Sequence, residues 1–405
     1  MPQQLDRRTR TDASRRFLAP AEFFMDAFPR LAAKNGGMVA QAMTALGAHP
    51  LTLDVDGESW SIELVNGSVR ASATAADGAL RLQLTAEQFS DWAQNQISFH
   101  GMLVGRRLRC EPENLFQISL WDSLALTLLE GWPAVTEGLA FSDRDGQPLD
   151  LAQSFTPEAD PADIAHFLRE VGFLHLKGWL DAPDMVAISD EMDRARPDYV
   201  EGDGKSWWAT LSDGSRACVR LQEFVERSPT TAKILKGDTW ERMIRILEGS
   251  DSLARKPVEG RIIEALFKPV GVASGPSDLS FHRDCHLGRH SYACARMTVG
   301  IAITPASESN GLLKVIAGSH RVVMPVEIAK SAPYLPVIEL ATEPGDLTVH
   351  LSCTLHAATA PVSTERRVLY TEIPQRQADG RFIDTSVNDV REQVNDIMRG
   401  REVAR

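Results

Sequence analysis

The chain is short of cysteine. Five are spread over 405 residues, at Cys110, Cys218, Cys285, Cys294 and Cys353, odd in number and with no C-x-x-C pair. That excludes a disulfide framework and a zinc ribbon, and implies thiols kept in a reducing compartment. Long apolar runs are also missing, with nothing near the roughly 18–20 residues that span a bilayer. Residues 1–16 are polar and arginine-rich, without the apolar centre of a secretory signal. Asp6 and Asp12 dilute any likeness to a transit peptide. Basic charge is in deficit: 43 Lys and Arg against 55 Asp and Glu leave a net charge of -12. A nucleic-acid partner or an anionic membrane surface calls for the opposite sign. A soluble, cytoplasmic protein is the expectation.

What is present falls into two patterns. Residues 17–48 carry helical spacing (Phe23, Phe24, Ala27, Phe28, Leu31, then Val39, Ala42, Met43, Leu46), with Gly36-Gly37 expected to separate two helices. From Leu51 the period drops to two, around turns at Asp56-Gly57, Asn66-Gly67 and Asp77-Gly78. Leu80, Leu82 and Leu84 continue the alternation. Helices are expected over 85–97, with Thr85 as N-cap, and over 118–131. Residues 1–145 therefore form a small α+β domain with an antiparallel sheet. Residues 146–160, polar and rich in Gly and Pro, form a linker.

Residues 161–405 form the second domain. A helix starts at Pro161 and stops at Gly172, a short strand covers 173–176, and helices follow at 182–196 and 230–248. Residues 198–222 are glycine-rich around Trp207-Trp208. They form either a lid over a pocket, which would give Trp207 and Trp208 a role with substrate, or a surface loop tucking its aromatics inward. Strands are expected at 262–270, 295–304, 312–316, 337–340, 346–351 and 367–373. Turns at Asn310-Gly311, Gly318-Ser319 and Pro344-Gly345 separate several of them, which predicts a double-sheet, cupin-like jelly roll with flanking helices. Residues 384–400 have the pattern of a terminal amphipathic helix.

Chemistry concentrates in the strands. His282 and Asp284 are two residues apart, so on an extended segment both face one side and can reach one ion. His350 and His356 share parity, and each is a candidate third ligand. Arg367 follows His356 by eleven residues, which favours His356 and provides a guanidinium for a bidentate carboxylate pair. Two histidines and a carboxylate on one face of iron(II) leave the opposite positions open for a keto acid and dioxygen. Lys268 and Arg296, on neighbouring strands, are further candidates to hold a carboxylate, Arg296 on the substrate side. His286, His290 and His320 could be mistaken for ligands, but His320 sits in a turn and is read as structural, the strand pattern around His286 argues against a helical metal pair with His282, and Cys285 would point away from the metal.

At these residues the sequence resembles the phytanoyl-CoA dioxygenase family of iron(II)- and 2-oxoglutarate-dependent oxygenases. The resemblance covers about 160–375. Its carriers are Phe281-His-Arg-Asp, the run from Ser309 to His320, the run from Pro344 to His356, and Arg367. It implies a double-stranded β-helix with His282, Asp284 and His356 on iron and Arg367 on 2-oxoglutarate. Where family members often carry a small hydroxyl residue near the co-substrate this chain has Ala358, with Thr359 next to it as the substitute. Asp284 favours hydroxylation, since halogenating relatives replace this carboxylate. The implied reaction consumes 2-oxoglutarate and dioxygen, with ascorbate as reductant in assay, releases succinate and carbon dioxide, and oxidises a largely apolar small molecule. The N-terminal region, through 80–92 and 102–109, is similar to sterol-carrier-type lipid-binding domains, with dimerisation or packing as the alternative role. Two rival functions are a cupin isomerase or decarboxylase that does not use 2-oxoglutarate, and a lipid carrier whose barrel has lost its chemistry.

Overall fold

The computed structural model describes residues 16–374 apart from 96, 105–107, 109, 111, 135–137, 249–262, 276–278, 285–295 and 332. The expected helix at 384–400 lies outside the described residues. Within the described residues no helix is long and apolar enough to cross a membrane.

The N-terminal region builds one hydrophobic core. Helix α1 (Phe28–Leu46) runs unbroken through Gly36-Gly37, against expectation. Asn35 and Gly36 are buried, and the Asn35 side chain donates to Leu128 O across the helix pair, so packing overrides the weak local helix preference of glycine. Strands β1 (Leu51–Val55), β2 (Glu58–Val65), β3 (Ser68–Ser72) and β4 (Leu80–Leu84) form a sheet in the order β3-β2-β1-β4. The sheet is mixed rather than antiparallel: β4 runs parallel to β1, pairing Leu51 with Leu80, Leu53 with Leu82 and Val55 with Leu84. Equal parity buries all six side chains on one face. Helix α2 (Ala86–Ala93) begins at a Thr85 capping box with Gln88, as its sequence implies.

Helix α3 (Phe99–Val104) is pinned to α4 (Leu115–Glu130) by Asp122. Its two carboxylate oxygens accept the Phe99 and His100 N–H groups at 2.8 and 3.1 Å. Burial pushes this carboxyl up to about 7, although both backbone donors pull it down.

The stretch read as a linker is packed onto the second core. Phe155 is buried there, and its backbone exchanges hydrogen bonds with His175 and Lys177 beside β5 (Phe173–Leu176). Beyond it come α5 (Pro161–Val171) and α6 (Ala182–Ala195). Residues 198–222 are neither lid nor irregular loop. They contain a hairpin of β6 (Ser206–Leu211) and β7 (Arg216–Leu221), followed by α7 (Asp238–Glu248).

The remaining strands are β8 (Glu264–Lys268), β9 (Val272–Ser274), β10 (Leu279–His282), β11 (Arg296–Ala302), β12 (Leu313–Ile316), β13 (Val337–Leu340), β14 (Leu347–Leu351), β15 (His356–Ala358) and β16 (Arg366–Pro374). Helix α8 (Val326–Ser331) lies between β12 and β13. The four-stranded sheet runs β10-β15-β12-β13, and the larger one contains β14-β11-β16-β8, extended by β5, β7, β6 and β9. Successive strands distributed in this way between two antiparallel sheets define a jelly roll. One face of the larger sheet (Met297, Val299, Ile301, Val349, Leu369, Ile373) shares a core with α5, α6 and α7. The other face looks into the space between the sheets.

Asp122 predicts a pH signature. A carboxyl raised in the folded state takes up a proton that the unfolded chain releases, so its contribution to stability declines from about pH 4 to about pH 7 and is level above. Thermal unfolding of wild type and Asp122→Asn over pH 4–9 should show the variant lacking that decline. Parallel profiles would contradict the assignment.

Candidate metal centre and anion pocket

Strands β10 and β15 pair so that His282 stands directly opposite His356, with ring centroids 4.3 Å apart. Asp284 lies just past the end of β10, not on an extended strand as expected, yet it still turns to the same side. Arg283 between them points away: its guanidinium is buried and donates to Cys353 O (3.1 Å) and Met324 O (3.0 Å). Asp284 Oδ1 is 3.7 Å from His282 Nε2 and 3.6 Å from His356 Nε2. One ligand atom from each of the three residues falls within 4.8 Å of the others.

The donor set fits a divalent ion. Each histidine Nδ1 meets the backbone carbonyl two residues earlier, His282 at Ser280 O (2.8 Å) and His356 at Thr354 O (3.0 Å). A carbonyl only accepts, so Nδ1 carries the proton and each Nε2 offers its lone pair to the centre. Burial, with His350 and His282 nearby, holds His356 well below the ordinary imidazole range despite the pull of Asp284, so it stays neutral. His350, the other candidate ligand, approaches only the far oxygen of Asp284, at 3.4 Å.

The arginine pair at the start of β16 divides between the two faces. Arg367 pairs in register with Phe267 and lies on the helix side. Its guanidinium donates to Asp193 Oδ2 (2.8 Å), Ser189 Oγ (2.9 Å) and Glu365 Oε1 (3.0 Å). That is a correction to the role expected of it. Arg366 pairs with Lys268, and both are buried on the inner face. Arg366 Nη1 donates to Gly311 O at 3.2 Å, while its Nε and Nη2 meet no partner among the described residues. A buried guanidinium with two unused donors is costly unless an anion completes it.

A small pocket opens beside it, walled by both arginines and by Gly300, Thr304, Thr348 and Tyr370, among others. Gly300 keeps this space clear: a Cβ there would stand 2.7 Å from Thr348 Oγ1 and 2.8 Å from Tyr370. Gly311 is equally constrained, at φ +80° with Thr359 O 2.5 Å from the position of a Cβ.

The other expected site residues are placed as follows. The Thr359 hydroxyl accepts from Leu312 N at 2.8 Å and donates to Leu312 O, so it ties β15 to β12 rather than facing the cavity. Trp207 is buried under the Arg220 guanidinium, 3.9 Å from the ring centroid, and Arg220 pairs with Leu266 of the inner face. Trp208 donates to Ser206 Oγ. Arg296 opens β11, and its side chain lies outside the described residues. Arg366 was missed because the eleven-residue offset drew attention to its neighbour. The register of β16 on β8 distinguishes the two, pairing Arg366 with Lys268 and Arg367 with Phe267.

A two-histidine, one-carboxylate centre inside a jelly roll, with a buried cation pair nearby, defines the class to which such a site belongs: a metal-dependent enzyme of the double-stranded β-helix type. Residues 168–369 match the sequence profile of the phytanoyl-CoA dioxygenase (PhyH) family, and this part of the chain belongs to that family. No curated protein matches the chain. Among solved structures, AviO1 from Streptomyces viridochromogenes Tue57 is 18% identical over 56% of this chain and 96% of its own, with a TM-score of 0.42. The epimerase SnoN of nogalamycin biosynthesis, described as non-heme and alpha-ketoglutarate-dependent, is 19% identical over 53% and 82%, TM-score 0.42. EctD from S. alaskensis, solved with 2-oxoglutarate and 5-hydroxyectoine, is 16% identical over 62% and 88%, TM-score 0.43.

The centre makes a direct prediction. His282→Ala should abolish uptake of one divalent ion per chain in equilibrium dialysis, with its near-UV circular dichroism preserved. Stoichiometric uptake by this variant would rule out the assigned ligand set.

Proposed function

We propose that the protein is an iron(II)- and 2-oxoglutarate-dependent oxygenase that hydroxylates a largely apolar small molecule. His282, Asp284 and His356 would hold the iron. Arg366, with Lys268 across the strand pair, would hold the far carboxylate of 2-oxoglutarate. Bound iron, 2-oxoglutarate and dioxygen would supply the oxidising power by oxidative decarboxylation of the keto acid to succinate and carbon dioxide. The observation that supports this reading is the buried Arg366 guanidinium, whose Nε and Nη2 have no hydrogen-bond partner among the described residues and which lines a pocket between the sheets. A cupin that does not use 2-oxoglutarate has no need of that charge.

The chain's own groups do the positioning. Backbone carbonyls of Ser280 and Thr354 orient the two imidazoles, and Thr298 orients the carboxylate, with its hydroxyl 2.9 Å from Asp284 Oδ2. Gly300 leaves room for the co-substrate between Thr348 and Tyr370. The presence of Asp284 as a ligand favours hydroxylation over halide transfer.

The N-terminal unit is proposed as a support for the barrel rather than a lipid carrier. Val323 of the barrel joins its core, and Val323 N donates to Pro133 O at 3.0 Å. Tyr334 also donates to Ala134 O.

Succinate release in the presence of iron(II), ascorbate and candidate substrates tests the activity. Losing a buried charge-assisted pair costs about 2–4 kcal/mol, roughly 30- to 1,000-fold in affinity. Arg366→Ala should therefore weaken 2-oxoglutarate binding by that factor, whereas Arg367→Ala should leave it within about threefold and lower thermal stability. The reverse pattern would return the clamp to Arg367.

A further inference from the structure

The far oxygen of Asp284 has its own environment. Oδ1 faces the two Nε2 lone pairs of His282 and His356. Oδ2 turns toward the larger sheet, where Thr298 Oγ1 donates to it at 2.9 Å and His350 Nε2 lies 3.4 Å away. Thr298 and His350 are cross-strand partners on β11 and β14, directly opposite each other on the inner face. The position is therefore set by two strands of the sheet that carries no metal ligand.

His350 is 2% exposed, and among the described residues neither ring nitrogen makes a hydrogen bond. A buried imidazole N–H left without an acceptor costs about 1–3 kcal/mol. Asp284 Oδ2, 3.4 Å from Nε2, lies at the outer edge of hydrogen-bonding range. The ring also lies against His356, with centroids 4.0 Å apart, so it packs on one ligand while addressing another.

We propose that His350 is a positioning residue of the metal centre, donating from Nε2 to Asp284 Oδ2 alongside Thr298, so that the carboxylate ligates through Oδ1 alone. This role rests on the iron reading above and deepens it. With Oδ2 held by two donors from the opposite sheet, the carboxylate cannot swing to bind through both oxygens. A bidentate Asp284 would take a coordination position that the keto acid needs. His350 thus uses the opposite tautomer from the two ligands: its Nε2 carries a proton where theirs carries a lone pair. Partners of this kind are commonly worth 10- to 100-fold in metal affinity.

The test is Mn(II) binding, followed by electron paramagnetic resonance, on the full chain. His350→Leu is nearly isosteric and removes the donor, so Mn(II) affinity should fall about 10- to 100-fold, with near-UV circular dichroism unchanged. His350→Gln keeps an amide donor and should recover most of the loss, which a purely packing role would not produce. Should His350→Leu fail to fold, Thr298→Val removes the other donor to the same oxygen and should weaken Mn(II) several-fold, with Thr298→Ser close to wild type. Wild-type Mn(II) affinity in every folded donor-free variant would overturn this role and leave the iron reading standing. Failure of the wild-type chain to bind Mn(II) would overturn both.

Discussion

The register between β10 and β15 is the constraint on which the site depends. It sets His282 opposite His356, so two candidate ligands are delivered by backbone pairing in the smaller sheet. A slip of one residue would turn one imidazole to the other face and dissolve the centre. Two local devices complete it. Each imidazole is locked by a carbonyl two residues earlier, and β10 ends at His282, so Asp284 can turn toward the ligand atoms instead of continuing the strand.

The larger sheet contributes by parity. Its helix-facing side is apolar and packs on α5, α6 and α7. Its inner side carries Lys268, Thr298, Thr348, His350, Arg366 and Tyr370. The two adjacent arginines of β16 therefore serve different ends. Arg367 ties the sheet to α6 through Asp193 and Ser189. Arg366 remains inside as a buried charge whose balance calls for an anion. A charge of that kind is expensive without a ligand, which is why it is informative about function.

Much of this was legible in the sequence. Turn residues and period-two runs located most of the barrel strands, and H-x-D with a later histidine picked out three residues that the fold brings together. What escaped depended on tertiary context. Gly36-Gly37 remains helical because Asn35 is satisfied by Leu128 O across a helix pair. The stretch 146–160 has linker composition yet buries Phe155. Residues 198–222 have loop composition, but their β6–β7 hairpin extends the sheet. The choice between Arg366 and Arg367 needed the register to β8, since both faces of β16 carry apolar residues and spacing from His356 differs by one. Thr298, which steadies Asp284, carries no sequence signal of its own.

The central claim is a metal centre with a keto-acid pocket beside it. The most direct measurement is an anaerobic titration of 2-oxoglutarate into the iron(II)-loaded protein, followed by visible absorption. A charge-transfer band that saturates at one equivalent is the result this account predicts. Iron uptake without any such band would contradict it.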